Sequence, residues 1–127
     1  MTTPLTRVVL ADDHTLVLEG FRRLLETHCE LLATAGDGQA LLQAVTQHRP
    51  DIVILDIGLP GMSGYEVGRR IREQDWGRSV VLVAQTGWGQ EEDRQRTQEA
   101  GFDAHLVKPV DASALLALIA RLRAERA

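Results

Sequence analysis

The sequence has little of the residue types that mark several other protein classes. Its single cysteine, Cys29, cannot form an internal disulfide and fits a reducing compartment. No apolar run approaches the ~20 residues of a membrane span, and the opening MTTPLTR lacks the apolar stretch of a secretory signal. Lysine and arginine (14) are fewer than aspartate and glutamate (18), a net charge of −4 that does not indicate a nucleic-acid surface. We therefore expect a cytoplasmic protein with no membrane insertion and no direct nucleic-acid binding.

The length and composition predict one globular domain, residues 1–127. A chain of 127 residues falls within the usual size of a single domain, about 100–200 residues. Hydrophobic residues make up 44% and charged residues 25%, values that are ordinary for a folded protein. The chain is long enough to bury a substantial core, so neither disorder nor a fibrous repeat is expected.

Short apolar runs alternate with amphipathic segments along the chain. The runs are continuous rather than alternating, which is typical of parallel strands that are covered on both faces. Helices are expected between the runs, and Ser63 followed by Glu66 predicts the start of one of them. This βα alternation predicts an α/β fold with a parallel sheet and helices on both faces. The five predicted strands are residues 7–11, 30–35, 51–56, 79–85 and 104–108.

Polar side chains stand at the carboxyl ends of four of these strands. Asp12 and Asp13 follow the first strand, Asp56 ends the third, Thr86 follows the fourth and Lys108 ends the fifth. Any one of them has an ordinary structural explanation, because polar residues often end strands. Carboxyl ends of parallel strands meet at one edge of a sheet, where α/β proteins carry their chemistry. We therefore expect the five side chains to share one crevice.

Three carboxylates in one crevice require a compensating charge. At ~4 Å and an effective dielectric of ~20, each pair would repel by about 4 kcal/mol. Because Asp12, Asp13 and Asp56 are hard oxygen ligands without nearby Cys or His at zinc-ligand spacing, Mg²⁺ is the expected cation. Mg²⁺ and Lys108 together bring the formal charge of the site to zero. Mg²⁺ beside a carboxylate and a lysine suits phosphoryl transfer, with Thr86 available to donate a hydrogen bond to a phosphoryl oxygen.

Four segments carry a resemblance to a known family. ADDH, DIVILDIGLPGMSGYE, VLVAQTG and HLVKP occur in this order, with intervals of 30 residues from Asp56 to Thr86 and 22 from Thr86 to Lys108. Together they resemble the receiver domain of two-component response regulators, over essentially the whole chain. The resemblance implies a flavodoxin-like, three-layered fold with a five-stranded parallel sheet in the order 2-1-3-4-5 and five helices.

The resemblance also implies roles for individual residues. Asp56 matches the aspartate that accepts a phosphoryl group from a histidine kinase or a histidine phosphotransfer protein. Asp12 and Asp13 match the acidic pair that holds Mg²⁺ together with Asp56 and the backbone carbonyl of Gly58. The implied protein catalyses its own phosphorylation and dephosphorylation and is not a multiple-turnover enzyme.

The resemblance further implies a conformational switch. Thr86 matches the switch hydroxyl and Lys108 the lysine of the family, with a cis bond expected between Lys108 and Pro109. Phosphorylation would draw both side chains inward and shift residues 86–101. His105 stands where many receivers carry a Tyr or Phe that couples to the hydroxyl. It is interpreted either as a member of the switch or as an ordinary half-exposed strand histidine.

Partners and alternative functions stay partly open at this stage. The expected partners are the phosphodonor protein and a downstream protein or fused output or kinase domain, and the chain is expected to be a monomer or weak dimer. Both a stand-alone receiver and a module of a longer regulator fit the sequence. The main alternative is a phosphorylation-independent interaction module, which the unusual His105 and Gln85 keep open. An aspartyl-phosphate hydrolase ranks lower, because Gly58 stands where such phosphatases carry a second aspartate.

Overall fold

The computed structural model describes residues 6–87, 93–108 and 110–126 of the chain. Strands and helices alternate along it, and a short 3₁₀ helix, Trp76–Arg78, follows the third helix. The strands are β1 (Arg7–Ala11), β2 (Glu30–Ala35), β3 (Ile52–Asp56), β4 (Val81–Thr86) and β5 (Ala104–Val107). The helices are α1 (Thr15–Glu26), α2 (Gly38–His48), α3 (Gly64–Glu73), α4 (Asp93–Glu99) and α5 (Ala112–Arg126).

The five strands form one parallel sheet in the order β2-β1-β3-β4-β5. This confirms the expected flavodoxin-like topology, in which β1 and β3 are neighbours. The predicted strand bounds are correct for β1 and β2. Differences elsewhere are small: β3 begins at Ile52 rather than at residue 51, β4 spans Val81–Thr86 rather than residues 79–85, and β5 ends at Val107, one residue before Lys108.

The sheet is buried on both faces, which explains why its strands are continuously apolar. One face of β3 packs Val53 and Leu55 into a cluster with residues of α2 and α3. The opposite face packs Ile52 and Ile54 into a second cluster with residues of α1 and α5. Side chains alternate between the two faces along each strand, so every interior strand residue has an apolar layer to enter. The helix residues of these clusters include Leu41, Val45 and Ile71 on the first face and Leu25, Leu115 and Ile119 on the second.

Side-chain caps define the starts of two helices. The Ser63 hydroxyl accepts a hydrogen bond from the Glu66 N–H at the start of α3, which confirms the helix start predicted there. Asp37 does the same for α2 by accepting from the Ala40 N–H at 2.8 Å. In the described residues, no helix has both the length and the apolar character needed to cross a bilayer.

Arg72 joins α3 to the amino-terminal edge of the sheet. Its guanidinium donates to the backbone carbonyls of Gly101 at 2.9 Å and Gly77 at 2.7 Å. It also pairs with the Asp103 carboxylate at 2.7 Å. The same Asp103 oxygen accepts from the Leu82 N–H, so one planar cation connects α3, the 3₁₀ helix, β4 and the segment before β5. This network lies at the opposite end of β4 from Thr86.

Replacing Arg72 with alanine should lower the free energy of unfolding by about 2–4 kcal/mol, because several partly buried acceptors lose their charged donor. Arg70→Ala is the matched control: Arg70 lies on the same helix, and its exposed pair with Glu66 should contribute less than about 1 kcal/mol. Urea denaturation of both variants measures the difference. Equal losses would contradict the structural role of Arg72.

Candidate functional site

The carboxyl edge of the sheet brings the predicted site residues together. Asp13, Asp56, Thr86 and Lys108 line one crevice at this edge. Asp12 is 1% exposed and contacts Lys108 there. The five residues come from the ends of β1, β3, β4 and β5, four strands that are consecutive in the sheet. The expectation of one shared crevice is therefore met by the structure.

Backbone hydrogen bonds just beyond the strands fix these positions. The Asp12 N–H donates to the Ala35 carbonyl at 3.1 Å, which extends the pairing of β1 with β2. The Lys108 N–H donates to the Thr86 carbonyl at 2.8 Å and extends the pairing of β5 with β4. The site side chains consequently stand on backbone that is still held by the sheet rather than on free loops.

Lys108 forms the central contact of the crevice. Its Nζ lies 2.8 Å from Asp12 Oδ2 and 2.8 Å from Asp56 Oδ2, so one ammonium bridges the ends of β1 and β3. The second oxygen of Asp56, Oδ1, accepts a hydrogen bond from the Gly58 N–H at 3.0 Å. Asp56 is 8% exposed and lines the crevice, and its two contacts hold the carboxylate in a defined orientation.

His14 belongs to the acidic group, which the sequence interpretation missed. Its ring Nδ1 lies 3.0 Å from Asp12 Oδ1 and 3.2 Å from Asp13 Oδ1, while its N–H donates to Asp12 Oδ1. One ligand atom from each of Asp12, Asp13, His14 and Asp56 lies within 4.8 Å of the others, a spacing that could hold a metal ion. The signal for His14 was its place directly after the acidic pair in ADDH.

The charged groups of the crevice shift one another's pKa values. Burial acts to raise the pKa of Asp12, but Lys108 and the hydrogen bonds from His14 outweigh it and hold that pKa below its usual 3.8. Burial acts to lower the pKa of Lys108, but the carboxylates of Asp12 and Asp56 outweigh it and raise that pKa above 10.5. The Asp12 carboxylate and the Lys108 ammonium therefore remain ionised over the whole neutral range.

Thr86 faces His105 across the β4–β5 pair. The Thr86 hydroxyl and His105 Nε2 form a hydrogen bond at 2.5 Å, between residues that are 19 apart in the chain. Thr86 is 2% exposed, and His105 is half-buried. The two residues that the resemblance associates with the switch are therefore in direct polar contact.

Gln85 is a polar residue in the interior of β4. It is fully buried, and alternation along the strand places it on the same face as Val81 and Val83, in the layer covered by α1 and α5. Within the described residues, neither its amide oxygen nor its amide nitrogen has a hydrogen-bond partner. A buried amide without hydrogen bonds costs stability.

Two further residues at the crevice were not predicted. Arg96 of α4 and Tyr65 of α3 both line it, and the Arg96 guanidinium lies 4.3 Å from the centre of the Tyr65 ring. The polar sequence of α4 gave no sign that one of its arginines would face the site. Parts of two earlier expectations, the proposed movement of residues 86–101 and the cis bond to Pro109, lie outside the described residues at 88–92 and 109.

The comparisons with known proteins decide the family. The protein-family model called response regulator receiver domain matches residues 8–120 of the chain. The chain belongs to this family. It is accordingly a receiver domain of the two-component type, and receiver domains interact with histidine kinases and output domains.

Individual relatives differ in how much of their length this receiver domain spans. The polar-differentiation response regulator DivK of Brucella anthropi is 30% identical over 103 residues, which cover 81% of this chain and 84% of DivK. The virulence sensor protein BvgS of Bordetella pertussis is 37% identical over 114 residues, which cover 86% of this chain but only 9% of BvgS. The family thus includes proteins that are little more than one receiver domain and proteins many times longer.

A solved relative bears on the metal. The receiver domain of sensor histidine kinase PA1611 from Pseudomonas aeruginosa PAO1 has a TM-score of 0.80 and 26% identity, covering 92% of this chain and 96% of that one. That structure has a magnesium ion coordinated in its active-site cleft. In the present receiver domain, three carboxylates against one ammonium leave an excess of negative charge, and this donor set fits a divalent cation with hard oxygen preference.

Lys108→Met should lower the free energy of unfolding at neutral pH by about 2–3 kcal/mol in the presence of a chelator, because Asp12 keeps its burial and loses its cation. In the wild type the lowered Asp12 pKa contributes stability that is present above its unfolded pKa and is lost as the pH falls through the folded value. In Lys108→Met, protonation of Asp12 instead stabilises the fold, because it removes a buried negative charge that has lost its cation.

The free-energy difference between wild type and Lys108→Met should therefore shrink as the pH falls toward 3.8, the ordinary aspartate value. Urea denaturation at several pH values measures it. Arg23→Met, which removes an exposed α1 cation, is the control and should show no such pH dependence. A difference that stays constant with pH would contradict the assigned role of the ammonium.

Proposed function

We propose that this receiver domain accepts a phosphoryl group on Asp56 from a histidine kinase or a histidine phosphotransfer protein, in a Mg²⁺-dependent reaction. The observation that carries the proposal is the contact of Lys108 Nζ with both Asp12 and Asp56 in a crevice lined by a third carboxylate. This arrangement offers one oriented carboxylate as acceptor and surrounds it with the groups that phosphoryl transfer requires.

The chain's own residues supply most of the chemistry. A carboxylate oxygen of Asp56 forms the new O–P bond while the P–N bond to the donor histidine breaks. Lys108 is 2.8 Å from Asp56 Oδ2 and is placed to neutralise charge on a phosphoryl oxygen. The Gly58 N–H, 3.0 Å from Oδ1, orients the acceptor. Thr86, at the crevice wall, provides a hydroxyl for a second phosphoryl oxygen.

Asp12, Asp13 and Asp56, with the Gly58 carbonyl, are the proposed ligands of Mg²⁺. When bound, the ion would supply positive charge that offsets the charge of the transferring group. The proximity of these carboxylates and their net negative charge support this assignment. His14 lies in the same cluster, but a histidine is a poorer ligand for Mg²⁺ than the carboxylates are.

The phosphorylated domain itself is the signal, and no transformed substrate is released. Phosphorylated Asp56 would alter the contacts of Thr86 and Lys108 and shift the neighbouring end of β4 and β5 toward a second conformation that a downstream protein or fused domain recognises. Gly58 offers no side chain to direct an attacking water, so hydrolysis depends on the crevice alone. The domain acts once per phosphorylation and is not a multiple-turnover enzyme. Its expected compartment is the reducing cytoplasm, which its single cysteine suits.

Incubation with Mg²⁺ and a small acyl phosphate or phosphoramidate should label the wild type with one phosphoryl group, and Asp56→Asn should abolish the label because an amide cannot form the acyl phosphate. Intact-mass spectrometry measures it. Asp75→Asn is the matched control, since the Asp75 side chain is fully exposed and outside the crevice.

A label that persists in Asp56→Asn would overturn the acceptor assignment. No label in the wild type, together with partner binding that ignores phosphodonors, would favour the phosphorylation-independent interaction module. Multiple turnover of a phosphate monoester would instead favour a hydrolase.

Asp13→Asn should weaken Mg²⁺ binding by roughly tenfold or more, because it removes one anionic ligand and keeps the shape of the side chain. Isothermal titration calorimetry with MgCl₂ measures the affinity, again with Asp75→Asn as the control. Because Asp13 is more exposed than Asp12, the variant should remain folded. Unchanged Mg²⁺ affinity in Asp13→Asn would exclude Asp13 from the ligand set.

A further inference from the structure

The Thr86 hydroxyl has one proton and, in the described part of the chain, one hydrogen-bond partner. That partner is His105 Nε2. Because Thr86 is 2% exposed, its proton has little access to water and needs an acceptor within the protein. The imidazole nitrogen is the acceptor at hand. For the unphosphorylated domain we therefore assign the hydroxyl as the donor and an unprotonated Nε2 as the acceptor.

Phosphorylation creates a competition for this one proton. The proposed role of Thr86 is to donate to a phosphoryl oxygen on Asp56, and a hydroxyl cannot donate to two acceptors at full strength. If Nε2 remained unprotonated, two acceptors would face each other and the contact would have to break. Breaking it would leave buried polar groups of Thr86 and His105 without their hydrogen bond, which is costly.

A histidine can resolve the competition by changing which nitrogen carries a proton. With a proton on Nε2, the ring donates to Thr86 Oγ1, which still has lone pairs to accept it, and the Thr86 proton is released to the phosphoryl oxygen. The two hydrogen bonds then run in one direction, from His105 through Thr86 to the phosphoryl group, and such chains reinforce each other. A phenylalanine at this position could neither accept a hydrogen bond from Thr86 nor donate one to it.

We propose that His105 is a positioning residue for the phosphoryl contact: phosphorylation of Asp56 reverses the Thr86–His105 hydrogen bond, so that Nε2 becomes protonated and aims the Thr86 proton at the phosphoryl group. The inference rests on the proposed function. The proton on Nε2 comes from solvent, and the ring stays neutral because Nδ1 gives up its own. His105 also lines a solvent-open groove with Thr97, Gln98 and Phe102, which supplies a path for this exchange.

The test uses the whole domain with ¹⁵N-labelled histidine, Mg²⁺ and beryllofluoride as the phosphoryl mimic. Long-range ¹H–¹⁵N spectra report which ring nitrogen is protonated, and loss of a signal in His105→Phe assigns it. A bound ¹⁹F resonance reports separately that the mimic occupies the site. Addition of the mimic should protonate Nε2 of His105, while His28 and His48, which lie away from the crevice, stay unchanged.

Two Thr86 variants separate the hydroxyl from ring packing. Thr86→Ser keeps the hydroxyl and should reproduce the change at Nε2. Thr86→Val removes the hydroxyl at similar volume and should abolish the change, at a beryllofluoride concentration where the ¹⁹F signal shows the site to be filled. Each variant is compared with its own unliganded spectrum.

The outcomes distinguish this inference from the proposed function. No bound ¹⁹F resonance in the wild type would overturn the proposed function, and the inference with it. A bound resonance with Nε2 still unprotonated would overturn only the inference. A change at Nε2 that is as large in Thr86→Val as in the wild type would also overturn it, because the hydroxyl would then not carry the effect.

Discussion

The position of one ammonium group between two buried carboxylates is the constraint on which the rest of the crevice depends. Asp12 and Asp56 end neighbouring strands of the sheet, and without Lys108 they would repel each other in a poorly solvated place. The parallel topology makes the contact possible, since it delivers the ends of β1, β3 and β5 to one edge. The apolar layers on both faces of the sheet hold that edge in place, so the packing of the core determines the geometry of the site.

A lysine suits the proposed phosphorylation, which would change the charge of the site. Lys108 is the chain's single lysine, whereas the other 13 cationic side chains are arginines. Arg72 shows what a guanidinium does elsewhere in the same molecule: its fixed fork holds several acceptors in one geometry. An ammonium is a compact charge without a fixed fork. Under the proposed function, an ammonium would keep its contact with Asp12 while phosphorylation turned Asp56 from a carboxylate into a larger, more negative group.

The sequence predicted the sheet and the gathering of site residues well, because both follow from local patterns. Continuous apolar runs locate buried strands, and residues just after them must meet where parallel strands end. Contacts between distant side chains were beyond this reasoning. Neither the hydrogen bonds of Arg72 nor the approach of Arg96 to Tyr65 has a local signature in the sequence. Each depends on how the helices pack against the rest of the fold. His14 was within reach, since it directly follows Asp12 and Asp13.

His105 combines a local feature that the sequence shows with a contact between distant residues that only the structure shows. Its place three residues before Lys108, where many receivers carry a Tyr or Phe, identified it as unusual. Only the pairing of β4 with β5 reveals that the imidazole reaches the Thr86 hydroxyl. A polar ring at this position couples to the crevice through proton direction rather than through volume, and that coupling is sensitive to the one atom that distinguishes threonine from valine. The same strand pair that positions the switch hydroxyl therefore also determines the kind of signal it can pass on.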